Sequence, residues 1–251
     1  MKNFLYILYI IFLINGVNAR EPVLSKVLND DINIMASFDG AKIIVYGAID
    51  PKLYEDSIII ITILGPRLKL KVSQKKKYFG IWLVNANNAH FINAPGYYAI
   101  ASSNSNFNNV DSPFLRENQI GWKNLKINMH NSIDLKNNKD FYRNILKIFY
   151  KNRNLLVIEK SSIDILDGTL FRADFDLPGI TPTGKYKVNT FLVNKEGELL
   201  SAWKNEVKVT KGGMGAYLYD YSKNHSFLYG LFAALGAILL GFTASEVFRR
   251  I

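Results

Sequence analysis

Cysteine is missing altogether from the 251 residues, and histidine and tryptophan occur only three times each. The first absence excludes disulfide staples and all thiol chemistry, so stability must come from burial and hydrogen bonding. The second leaves little for metal binding. His90, His130 and His225 are never two or four residues apart, so no strand or helix chelate is written into the chain, and each reads as a surface or structural residue. A Gly-x-Ser-x-Gly nucleophile elbow is lacking too. So is a phosphate loop: Gly212-Gly-Met-Gly215 has no Lys-Ser/Thr pair after it and reads as a flexible joint. No catalytic, cofactor-binding or metal-binding residue is assigned, and no cofactor is expected.

What the chain does have is two uncharged apolar stretches. Phe4–Ile14 follows Lys2 and precedes Val17-Asn-Ala19, a small-x-small cleavage pattern, so residues 1–19 read as a secretory signal peptide. Eleven helical residues rise only about 16 Å, against the roughly 30 Å of a hydrocarbon core. Phe227 to Ser245 is long enough to cross with little tilt and reads as a membrane span. Export of the amino terminus then leaves residues 246–251 as a cytoplasmic tail. The net charge is +10. An exported basic domain favours anionic headgroups or acidic partners over nucleic acid. Lys75-Lys76-Lys77, the densest cluster, reads as a solvated loop.

Between these ends, short β-branched and aromatic runs recur between turn signals, the pattern of an antiparallel β fold. Residues 32–37 and 41–48 flank Asp39-Gly40, a hairpin signal. The run 58–64 is almost uniformly apolar and reads as a strand buried on both sides. Further strands are expected at 68–72, 80–84, 89–92 and 97–101. The polar stretch Ser102–Asn109 reads as a domain boundary. Beyond it come a short helix from Ser112-Pro113, a second helix over 138–152 with Phe141, Ile145, Ile148 and Phe149 as its apolar stripe, and strands at 155–159, 169–176, 185–193 and 199–209. The expected architecture is mainly β: two immunoglobulin-like β-sandwich ectodomains, 20–103 and 104–210, with short helical insertions. A juxtamembrane joint over 211–226 and the span at 227–245 follow.

The chain also resembles a known family. The segments Phe38–Ile49, Gly80-Ile-Trp82, Pro95–Ser102, Thr169–Arg172, Leu177-Pro178, Pro182–Tyr186, Leu228-Tyr-Gly230 and Phe248-Arg-Arg250 are similar, in order and spacing, to the alphaproteobacterial transmembrane proteins labelled Alph_Pro_TM. The resemblance implies an exported domain with a carboxy-terminal anchor, no established activity, and a sulfite-exporter-like permease as a neighbour.

Several residues merit a functional reading beside the plain one. Trp82, Phe91, Tyr97 and Tyr98 could line a ligand groove or simply pack a core. Asp164 and Asp167 read as a turn beside Gly168. Arg172 reads as an outward cation unless it turns inward to Asp174 or Asp176. Tyr217, Tyr219, Tyr221 and Tyr229 suggest an aromatic belt at the headgroups. Ala233, Ala237, Gly241 and Ser245 repeat every fourth position of the span, a small-residue face suited to docking or homodimerisation. The expected function is that of a noncatalytic periplasmic accessory or binding protein in the bacterial inner membrane, contacting its lipid and a permease. The alternative is a membrane-anchored envelope enzyme with an acidic-residue site.

Overall fold

A computed structural model describes residues 21–34, 40–104, 113–131, 139–160, 162–212 and 214–250. The expected signal peptide and most of the polar stretch at 102–109 lie outside them. Among the described residues, thirteen strands form three sheets. In the first, β1 (Val23–Val27), β3 (Gly40–Ile49), β11 (Leu170–Pro178) and β10 (Asp164–Leu166) run in the order β1-β3-β11-β10. The second takes β2 (Asp31–Ile34), β4 (Ser57–Leu64), β7 (Tyr98–Ser102), β9 (Leu156–Lys160), β12 (Gly184–Asn194) and β13 (Leu199–Lys211) in the order β2-β13-β12-β4-β7-β9. The third joins β5 (Arg67–Tyr78), β6 (Ile81–Pro95) and β8 (Asn128–Asn131).

β4 explains why the second sheet is continuous. Residues 59–64 are all buried, and the strand lies between β12 and β7, so Ile and Thr suit it on both faces. β11 instead alternates, with Phe171, Ala173, Phe175 and Leu177 inward and Arg172, Asp174 and Asp176 outward. Ser25 of β1 and Thr190 of β12 link the first and second sheets through a buried hydroxyl pair at 2.8 Å, and the Asn205 amide donates to the Ser25 hydroxyl oxygen at 3.0 Å.

Two expectations change here. β2 and β3 are not hairpin partners: β2 runs parallel to β13, whereas β3 pairs with β1 and β11 in another sheet, and residues 35–39, with Asp39 of the expected turn, lie outside the described residues. Gly40, at φ +144°, makes the entry into β3 where an added Cβ would stand 2.9 Å from the Leu177 carbonyl oxygen. The boundary near 103/104 is crossed by hydrogen-bonded pairing, because β3 bonds to β11 and β4 to β12. Both sheets thus draw strands from both halves of the chain.

Helices cover one end. α1 (Pro113–Glu117) and α2 (Lys139–Asn152) bring Leu115, Tyr142, Leu146 and Tyr150 into the same buried cluster as the sheets. The buried stripe of α2 is therefore not the expected one: Phe141, Ile148 and Phe149 face solvent. Tyrosine makes the difference, since a buried ring with a bonded hydroxyl packs as well as an aliphatic chain. Here Trp122 and Tyr150 meet with ring centroids 5.4 Å apart, and the Tyr150 hydroxyl donates to the Pro95 carbonyl at 2.6 Å.

Arg143 fixes this helix to the turn before it. Its guanidinium donates to the carbonyls of Trp122, Lys123 and Leu125 at 2.8, 3.2 and 2.9 Å. Arg143→Met keeps the apolar stem and strands three acceptors. Thermal unfolding in detergent should show a loss of about 2 kcal/mol, with Arg143→Lys restoring only part, because an ammonium lacks the planar fork.

Beyond β13, α3 (Met214–Asn224) and α4 (Ser226–Arg250) carry the chain onward. The expected joint is thus largely helical, and Gly215 lies inside α3. The His225 and Tyr229 amides donate to the Tyr221 and His225 carbonyls at 2.8 and 2.9 Å, so helical bonding continues across the break between the two helices.

Candidate functional site

Four buried tyrosines organise the region where β6, β7 and β12 meet the covering helices. The Tyr97 hydroxyl donates to the Asp176 carbonyl at 2.9 Å, and the Tyr98 hydroxyl donates to the Gln119 carbonyl while accepting the Gly121 amide, both at 2.8 Å. Tyr186 donates to the Pro182 carbonyl, as Tyr150 does to Pro95. Burial pushes all four phenols well above the usual tyrosine range. For Tyr98 the Gly121 amide and then Arg67 pull back against that shift, and for Tyr150 Arg67 does.

Two clefts are lined in part by residues that these tyrosines bond, Asp176 in one and Gln119 in the other. One, of about 880 Å³, opens between the β3–β11 pair and β9, and displays Lys42, Glu159 and Asp176. Lys42 and Asp176 are cross-strand partners with their charged atoms 3.8 Å apart. The other, of about 540 Å³, gathers Arg67, Lys185, Lys187 and Lys204 beside Glu117 and Gln119. Arg67 is committed to the Asn93 carbonyl and the Gln119 side chain, and Lys185 to Glu206 at 2.9 Å. This second cleft has the charge to attract an anionic group.

The residues singled out from sequence are distributed as follows. Phe91, Tyr97 and Tyr98 are buried, whereas Trp82 is 65 % exposed near the end of the β5–β6 hairpin and stands apart from them. His90 and His130 are brought directly opposite each other on β6 and β8, both exposed, with His225 far off in sequence between α3 and α4. Among the described residues, no group of three or more His, Cys, Asp or Glu could hold a metal ion. Asp164 pairs across β10–β11 with Arg172, and Asp167 occupies the turn at φ +49°. Arg172 points outward and grips Asp174 through two bonds of 2.8 and 2.9 Å. That pair raises the guanidinium and lowers the carboxyl.

Sequence reading missed Arg143 and the turn at Phe79-Gly80. Lys75 and Lys77 belong to strand β5 and not to a loop, and the chain reverses between Tyr78 and Ile81. The signal was a glycine after Tyr78-Phe79 and before Ile81-Trp82, masked by the lysines ahead of it.

In α4, an 18-residue window within Ser226–Arg249 has a mean hydropathy of 2.0, and none of that window is buried against the rest of the chain. Ala233, Ala237, Gly241 and Ser245 all lie exposed along it. A family model described as "Putative transmembrane protein (Alph_Pro_TM)" matches residues 22–250. The chain belongs to that family. Its membership and the apolar carboxy-terminal helix together support a single-pass membrane protein. No curated protein matches the sequence. Among solved structures, HBP35 of Porphyromonas gingivalis aligns at 10 % identity and a TM-score of 0.32, covering 79 % of this chain and 45 % of that one. The chain thus spans under half the length of that protein.

Proposed function

We propose that this family member is a noncatalytic accessory or binding protein of the bacterial inner membrane, with its β body in the periplasm and residues 246–251 in the cytoplasm. The orientation rests on the signal peptide read in residues 1–19. The observation that carries the proposal is the separation of packed body and bare helix: no residue in the apolar window of α4 is buried by the chain itself, so its surface is available to lipid and to a partner. Ala233, Ala237, Gly241 and Ser245 supply the face for close helix approach, and an integral membrane permease of the sulfite-exporter kind is the candidate partner. A second copy of the chain is the competing occupant.

The enzyme alternative would draw on the cleft with Glu159 and Asp176. Asp176 is 84 % exposed there, a solvated setting that gives a carboxylate little reason to act as a general acid.

An added Cβ at Gly241 meets nothing within 4 Å. Gly241→Leu therefore leaves the chain's own fold intact and should weaken recovery of the partner after mild crosslinking and membrane copurification, by roughly tenfold if the contact is worth about 1.4 kcal/mol. Unchanged recovery would reduce α4 to a tether. Recovery of monomer alone from the unsubstituted chain would count against any partner.

A further inference from the structure

The β5–β6 hairpin runs out from the body and ends in an apolar, strained tip. Its inner part is packed: Leu70, Val72 and Met129 of β8 lie against the core, and Phe91 is buried within it. From Ser73 outward the described side chains are exposed, an extension of roughly 17 Å for five residues at about 3.4 Å each. The register pairs Tyr78 with Ile81, Lys77 with Trp82 and Lys75 with Val84. Cross-strand partners point to the same face. Tyr78 and Ile81 therefore occupy one side of the tip and Trp82 the other, with Phe79 at the end and the lysines immediately behind.

Phe79 is the decisive residue. It and Gly80 form the two-residue connection with φ of +48° and +86°, the pattern of a type I′ turn, where Asn, Asp or Gly is favoured. A bulky residue in that region is strained, and here the ring is fully exposed and gains nothing from the described residues. Tyr78, Ile81, Trp82 and Leu83 are each more than half exposed as well. A strained turn that presents Phe to water is disfavoured in isolation, so its counterpart lies outside the chain.

We infer that this tip inserts into the interface of a lipid bilayer bearing anionic headgroups. The chemistry fits that occupant on three counts. Two rungs and the turn measure roughly 7–10 Å, the depth at which interfacial elements sit. Trp and Tyr are the residues that settle at the boundary between headgroup and acyl chain. Lys75 and Lys77 follow the apolar end as a cationic collar, complementary to anionic headgroups. A bilayer is also the one surface that α4 keeps always beside the body. The inference does not depend on any partner of α4.

The absence of cysteine makes the test clean. Ile81→Cys gives a single labelling site in the full-length chain, which is reconstituted in phosphatidylglycerol-containing vesicles whose acyl chains carry quenchers. An environment-sensitive dye at position 81 should emit blue-shifted light and be quenched; one at Glu196→Cys, in the β12–β13 loop, should show neither. Replacing Lys75 and Lys77 by Glu, or using only phosphatidylcholine, should remove most of the quenching. Phe79→Asn supplies the opposing sign: Asn accepts the left-handed turn, so the unfolding midpoint should hold or rise while quenching drops to the control level. Absence of quenching at 81, or full quenching in Phe79→Asn, would overturn the inference. So would a blue shift that lipid quenchers do not touch, because that would seat the tip on a protein.

Discussion

Raising the pH above about 10 should unfold the β body in one steep transition. Tyr97, Tyr98, Tyr150 and Tyr186 each donate a hydroxyl proton to a main-chain carbonyl from a largely dry site. Ionisation removes the donor and leaves a phenolate facing a carbonyl oxygen. Burial raises all four in the folded state. Above the unfolded-state pKa of about 10, the unfolded chain therefore sheds protons that the folded one retains, and stability falls as pH rises. Below that pH the contribution is fully present. Each tyrosine costs up to about 1.4 kcal/mol per pH unit, and four together up to about 5.5 per unit, against a total stability of roughly 5–15 kcal/mol. Circular dichroism and phenolate absorbance followed together would check this: the last phenols should appear only as strand signal disappears. Tyr150→Phe should make the transition shallower by about a quarter. Reversible ionisation of all four with the strands intact would refute the account.

Gly47→Ala should be the most damaging small substitution in the chain. Gly47 lies in β3 between Ser25 of β1 and Phe171 of β11. A Cβ there would stand 2.1 Å from the Leu24 carbonyl oxygen and 2.4 Å from the Phe171 ring. The ring could move, but the carbonyl belongs to the strand ladder and cannot. β1 must then peel from β3 or Phe171 must leave the core, a loss of roughly 3–5 kcal/mol. Denaturant unfolding measures it directly. Pairing Gly47→Ala with Phe171→Leu should recover the part due to the ring and leave the part due to the backbone, so the double substitution falls short of additivity. Equal stability of Gly47→Ala and the parent would contradict the close approach of β1.

How much of this was legible in the sequence varies with the kind of constraint. β4 could be read because seven consecutive residues are β-branched or aliphatic and a central strand needs no other instruction. β12 and β13 could be read because Asn194 and Gly197 write their turn locally. β1 and β8 could not: Val23-Leu-Ser-Lys-Val27 lies next to the expected cleavage site, and Asn128-Met-His-Asn131 is polar and exists as a strand only because β6 is there to receive it. The destination of β2 was also hidden, since its partner lies near the other end of the chain. In α2 the hydrophobic pattern fits two faces, and only the contacts of Tyr142 and Tyr150 decide between them. The four-residue spacing of Ala233, Ala237, Gly241 and Ser245 sufficed to place them along one helix, where they are exposed, and no more than that. Phe79 was not, because a left-handed backbone angle leaves no mark on composition.

The exchange of strands between the two halves also sets the order in which the molecule can be made. Thr210 bonds to Asn33 across 177 residues of chain, and Ser25 is held to Thr190 and Asn205 across 165 and 180. Contacts so distant in sequence make folding slow and leave strand edges open while they wait. β2 has no partner until β13 arrives, and β13 ends at Lys211, fifteen residues before α4 begins. β2, and the link from β1 to β12 and β13, must therefore wait through nearly all of synthesis and form only when the carboxy-terminal apolar helix is next in line. The last strand to join is thus also the last before the apolar helix, so completion of the fold and emergence of that helix are neighbouring events in the making of the chain.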